Sequence, residues 1–147
     1  MTVLQQILSN NTIIIPSISW FVAQTIKVLI YLNKKKKFDI SKFFSSGGMP
    51  SSHTSFVVSL AITIGKNSGF DSPVFGIAFV IALVVMYDAA GVRRAAGKQA
   101  QVLNKLIAQM QSGEMHIEAT LKELIGHSPF EVFAGAILGT LFALLLN

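Results

Sequence analysis

Apolar residues fall in four blocks along this chain, each closed by turn or charged residues. The first runs from about Asn11 to Leu32, holds Trp20, Gln24 and Lys27, and stops at Lys34-Lys35-Lys36-Lys37. The second, about Ser52 to Gly65, is short against the ~20 residues a helix needs to cross bilayer hydrocarbon. It therefore tilts, packs inside a bundle, or begins below the interface. The third, about Pro73 to Met86, continues helically through Tyr87-Asp88-Ala89-Ala90 to Arg94. The fourth, about Pro129 to Leu146, carries Gly135 and Gly139 with Ala134 and Ala136 alongside, a spacing that suits close helix packing in lipid.

Between the third and fourth blocks the pattern changes. Ala95 to Gln111 has apolar residues at Val102, Leu103, Leu106, Ile107 and Met110, a helical stripe. Gly113 breaks it, and Glu114 to Ile125 repeats the stripe with Ile117, Leu121, Leu124 and Ile125, ending at Gly126. Residues 95–126 thus read as an amphipathic hairpin that lies on the membrane, covers a site, or simply completes the surface. The expected fold class is all-α: an integral membrane helical bundle of about four spans with a cytoplasmic amphipathic helical hairpin. One domain covers residues 1–147, with 95–126 inserted in it.

Composition agrees with this pattern. Of 147 residues, 52% are hydrophobic and 13% charged, against roughly 25% charged in soluble domains; the mean hydropathy is +0.59. The absence of cysteine excludes disulfides and thiolate metal sites. A net charge of +5 would suit nucleic acid, but the basic residues cluster where apolar segments end, as in membrane-protein loops, so no nucleic-acid partner is expected. The N-terminus lacks the basic start and small-residue cleavage site of a signal peptide, so the first apolar segment is expected to be retained. Ten of the twelve basic residues lie in two stretches, 33–53 and 93–127, which four spans place on one side. The positive-inside rule makes that side cytoplasmic. The same topology gathers His53, Arg93, Arg94 and His127 at the cytoplasmic face of the cell membrane.

Those gathered residues carry the candidate chemistry. Ser45-Ser46-Gly47-Gly48-Met49-Pro50-Ser51-Ser52-His53-Thr54 reads as a turn entering a helix. Ser51 or Ser52 can cap that helix, and its N-terminus is a natural phosphate site with His53 in the first turn. His127 and Glu131 share a face if both are helical, and a carboxylate on one imidazole nitrogen fixes the tautomer. Ser128-Pro129-Phe130-Glu131 is equally a capping box, with Ser128 at the cap, Pro129 at the first position and Glu131 structural; both readings stand. Arg93 and Arg94 have forks that match phosphate oxygens, or anchor the helix end beside Asp88. Lys27 is costly inside an apolar span, which marks function unless it snorkels to the surface.

With these residues in view, the chain resembles the divergent, small branch of the type 2 phosphatidic acid phosphatase family, related to acid phosphatases and vanadium-dependent haloperoxidases. Pro50-Ser51-Ser52-His53 is similar to the family's Pro-Ser-Gly-His block, with serine for glycine. Val92-Arg93-Arg94 and His127-x3-Glu131 resemble the halves of its Ser-Arg-x5-His-x3-Asp block, split by the 95–126 segment. Lys27-x6-Lys34 keeps only the lysine of the first block, Lys-x6-Arg-Pro. The resemblance implies a nucleophilic His127, an orienting Glu131, a general acid at His53, and phosphate binding by Lys27, Arg93, Arg94, Ser51 and Ser52. It implies no cofactor and no metal. The expected activity is hydrolysis of a lipid phosphomonoester, of phosphatidylglycerophosphate type, or of a pyrophosphate through a phosphohistidine. The alternative is a non-catalytic membrane protein of the same fold that binds anionic lipid or phosphate. Four spans are few to enclose a site, so a homodimer is also expected.

Overall fold

Helix boundaries follow the local capping chemistry of the sequence. In the computed structural model, which describes residues 2–36, 43, 47–111 and 127–147 without the side chains of 92–94 and 109–111, six helices form. They are α1 (Val3–Leu8), α2 (Asn11–Lys35), α3 (Ser52–Ser68), α4 (Pro73–Ala90), α5 (Val92–Gln111) and α6 (Pro129–Leu146). Asn10, Ser51, Ser72 and Ser128 each supply a side-chain oxygen to the backbone N–H groups at the start of α2, α3, α4 and α6, and proline opens α4 and α6. These are the groups a helix start leaves unpaired. The short α1 carries its own capping box from Thr2 and Gln5 and buries nothing; six residues are too few to show a periodicity.

The four long apolar segments alternate in direction. At one end Asn11 Nδ2 donates to Asn147 Oδ1 (3.3 Å) and Asn147 Nδ2 to Asn67 Oδ1 (3.0 Å). This ties the start of α2 to the ends of α3 and α6. At the other end the N–H of Ser51 donates to Glu131 O and that of His127 to Ala89 O, both at 3.0 Å. These bonds join the start of α3, the approach to α6 and the end of α4. α3 packs against α2, α4 and α6 and forms the axis of the bundle.

The interior is small and hydroxyl-rich. Ala23, Ala61, Ala78, Ala82, Ala89 and Ala143 are buried together with Ser19, Ser55, Ser59 and Thr63, and the Ser19 and Ser55 hydroxyls meet at 2.6 Å. The exterior is apolar instead, with Ile77, Phe79, Leu83, Val84, Phe133 and Leu145 exposed. That inversion matches a hydrocarbon surround, where helices associate through small residues and hydrogen bonds rather than by hiding large apolar ones. Among the described residues three helical stretches, Asn11–Lys35, Pro73–Ala108 and Pro129–Leu146, are long and apolar enough to cross a membrane. The short second block is the central α3, packed inside the bundle. Of the hairpin read from residues 95–126, the first arm forms within α5; the second, Glu114 to Ile125, lies outside the described residues.

α6 lies against α3 at its two glycines. A Cβ at Gly139 would stand 2.5 Å from the Ser55 carbonyl oxygen and 3.1 Å from the Ser59 nitrogen, and one at Gly135 would collide with the Ser51 carbonyl oxygen. The obstacles are backbone, so a side chain must push the helices apart. Gly139→Ala is therefore expected to lower stability by about 1–3 kcal/mol. Gly76→Ala, where a Cβ meets nothing within 4 Å, is expected to be neutral or to gain up to about 1 kcal/mol of helix propensity. Thermal unfolding of both variants in one detergent checks the pair; equal effects would contradict the close packing.

Candidate active site

The site is assembled where α2, α3, α4 and α6 share one end. Gly47 and Gly48 take φ of 113° and 83°, a region side chains avoid, and lead through the cis Met49-Pro50 bond to Ser51. The Ser51 hydroxyl accepts the N–H of Thr54 and also receives the Thr54 hydroxyl at 3.0 Å, so Ser51 is the cap of α3. Ser52 and His53 form its first turn.

Lys27 reaches this turn from α2. Its Nζ donates to Ser52 Oγ at 3.1 Å, and the residue is only 6% exposed. It does not snorkel to the surface. Gly48 lies over its stem, 3.9 Å from Cγ as measured from an ideal Cβ. A lysine head group is thus fixed beside the N-terminus of α3, and the two together make a positively polarised corner.

His127 precedes α6, just outside the helix. Ser128 caps α6 and Glu131 completes the capping box, with Ser128 N–H donating to Glu131 Oε2 at 3.0 Å. The same Oε2 lies 3.1 Å from His127 Nδ1. The capping reading is the one the structure shows, with His127 outside the helix and not in its first turn, and the capping oxygen also faces the imidazole. The contact suits an Nδ1–H donor on His127, and in a neutral ring that tautomer leaves the lone pair on Nε2. His127 is 2% exposed. Its ring and that of His53 are 6.3 Å apart, centroid to centroid, at 61°.

Lys27, Ser51, Ser52, His53, His127 and Glu131 are thus brought to one corner. Arg93 and Arg94 fall in the first turn of α5, four and five residues beyond the Ala89 carbonyl that holds His127, with side chains outside those described. Among the described residues no three His, Asp or Glu side chains converge as a metal cluster would require. Sequence reasoning did not find Ala89, whose carbonyl anchors His127, or the link from Ser51 to Glu131; backbone bonds leave no residue-type signal. Nor did it find an open apolar groove beside His53, lined also by Trp20, Phe56, Val57 and Val85.

The fold and site are those of a helical membrane bundle with a capped His/Glu pair beside a buried lysine. The sequence profile of the divergent PAP2 family matches residues 8–142, and the chain belongs to that family. It is similar to the uncharacterized membrane protein YuiD of Bacillus subtilis (strain 168), 38% identical over 152 residues covering 96% of each chain. No solved structure matches it.

The cap and the His127 contact can be separated. Ser128→Ala removes the cap and leaves the carboxylate beside His127, so it is expected to cost about 1 kcal/mol. Glu131→Gln keeps a residue that serves a capping box and is expected to be near neutral in stability. Thermal unfolding distinguishes the two; a larger loss in Glu131→Gln than in Ser128→Ala would show that the ionised pair, not the cap, holds the segment.

Proposed function

We propose that the protein is a membrane lipid phosphatase that works through a phosphohistidine. The observation that carries this reading is Glu131 Oε2 at 3.1 Å from His127 Nδ1, with the His53 ring close by and Lys27 on Ser52. In the proposed cycle His127 Nε2 attacks phosphorus, and Glu131 holds the tautomer and stabilises the imidazolium. His53 protonates the leaving oxygen, then removes a proton from the water that hydrolyses the intermediate. Lys27, Ser52, the Ser51-capped helix start and the arginines Arg93 and Arg94 hold the phosphate oxygens. Fixed cations of this kind can do the electrostatic work without a metal ion.

The active site is proposed to face the cytoplasm, supported by the placement of ten of the twelve basic residues. A cysteine placed at the exposed Met49, in a chain with none of its own, is expected to react with a membrane-impermeant maleimide only in inverted vesicles. Labelling only from the outside of intact cells would reverse the topology.

Release of phosphate from a panel of lipid phosphates by purified protein tests the activity itself. Turnover is expected in EDTA, abolished in His127→Ala and lowered roughly 10²-fold or more in Glu131→Gln, because an amide cannot stabilise the imidazolium. Activity that EDTA removes and Mg²⁺ restores would count against the mechanism. Lipid-phosphate binding without turnover would point to the non-catalytic alternative.

A further inference from the structure

Among the described residues α5 packs on no helix but the end of α4. The helical stretch Pro73–Ala108 has 36 residues, about 54 Å at about 1.5 Å per residue, against about 30 Å of bilayer hydrocarbon. α4, with 18 residues, accounts for about 27 Å of that length, so α5 begins where the hydrocarbon ends. It begins at the end of the bundle that carries the site, since Ala89, close before it, holds the His127 N–H. α5 also separates apolar from polar residues more sharply than α2, α3, α4 or α6.

Val102, Leu103 and Leu106 form a stripe on α5 that is 58%, 46% and 49% exposed. Gly97, on the opposite side of the helix by its register, is buried, so the stripe is not the face turned toward the rest of the chain. Lys98 and Lys105, both exposed, lie two turns apart along one edge of the stripe. From Val92 to Gln111 there is no aspartate or glutamate. An open recess of about 440 Å³ is lined by Lys98, Gln99, Val102 and Leu103. It sets an ammonium and an amide against two apolar side chains.

We infer that the outer face of α5 docks on the surrounding bilayer and binds anionic lipid, with Val102, Leu103 and Leu106 in the acyl boundary and Lys98 and Lys105 on headgroup phosphates. A helix that starts at the hydrocarbon edge, with an apolar stripe flanked by lysines, has the build of one that lies in the interface. Lysine stems cover apolar surface while their ammonium groups reach the headgroups. The charge selects this occupant over a second copy of the chain. Two copies of this face would bring two lysine rows together with no carboxylate on either helix to pair them. An anionic leaflet supplies the missing charge, and salt screens the attraction. The first turn of α5 carries Arg93 and Arg94, so docking fixes the height of that turn against the headgroups. The inference stands whether or not the protein is a phosphatase.

The test places single spin labels on the full chain, which has no cysteine of its own, through Leu103→Cys, Leu106→Cys or Ala108→Cys. Ala108 is exposed on the other side of α5 from the stripe. The protein is held in nanodiscs of phosphatidylcholine alone or mixed with phosphatidylglycerol, and each label is read for collision with oxygen, which partitions into lipid, and with a water-soluble nickel chelate. In the mixed discs the labels at 103 and 106 are expected to favour oxygen and the label at 108 the chelate. Lys98→Gln with Lys105→Gln, high salt, or pure phosphatidylcholine should each lower the oxygen-to-chelate ratio at 103 and 106 roughly threefold or more. Lys66→Gln, exposed at the opposite end of the bundle, should leave it unchanged. Labels at 103 and 106 as open to the chelate as the label at 108 would overturn the docking. A ratio that neither lipid charge nor the two lysines move would overturn the recognition of anionic lipid. Dipolar broadening between labels at 103 in liposomes, lost on dilution with unlabelled protein, would assign the face to a second copy instead.

Discussion

The close approach of α3 and α6 is the constraint on which the site depends. Gly135 and Gly139 let α6 lie on the backbone of α3, with the Ser51 and Ser55 carbonyl oxygens where side chains would otherwise stand. Only at that separation can the Ser51 N–H reach the Glu131 carbonyl at 3.0 Å. Glu131 is then fixed through its backbone to the cap of α3 and through its carboxylate to Ser128 and His127. The distance between two helices becomes the distance between two histidines. A wider spacing would separate His53 from His127 even if every residue of the site were kept.

The same packing accounts for a charge held in a membrane bundle. A lysine in hydrocarbon is expensive unless polar partners receive it. The hydroxyl-rich face of α3 provides one, and Lys27 is directed to Ser52. The interior therefore does two things with one set of small polar residues: it brings backbones together and it gives the Lys27 head group a hydrogen-bond partner. Large apolar side chains, which would fill the core of a soluble protein, face the lipid. One of the openings between them is the groove at His53.

Much of this was legible in the sequence because its determinants are local. The segments from Asn11, Pro73 and Pro129 are declared by apolar composition, by Asn10, Ser72 and Ser128 as caps, and by proline at the first helical turn. The spacing of His127 and Glu131 allowed both a cap and an orienting pair. It could not say that one oxygen makes both contacts, because that depends on His127 lying outside the helix with its N–H on Ala89. Lys27 was ambiguous for a similar reason: whether a lysine snorkels or turns inward is decided by a neighbouring helix, here by Ser52. The groove needed three helices in register and had no motif. The family match over residues 8–142 agrees with the resemblance carried by the Pro50 to His53 and His127 to Glu131 strings.

The central claim is that His127 is the nucleophile through its Nε2, because Glu131 occupies Nδ1. Trapping the phosphoenzyme by rapid alkaline quench, mapping it by mass spectrometry, and assigning the isomer by ³¹P NMR tests this most directly. The account predicts an acid-labile phosphate on His127 bonded to Nε2. Phosphate on His53, on Nδ1 of His127, or in an acid-stable linkage elsewhere would contradict it.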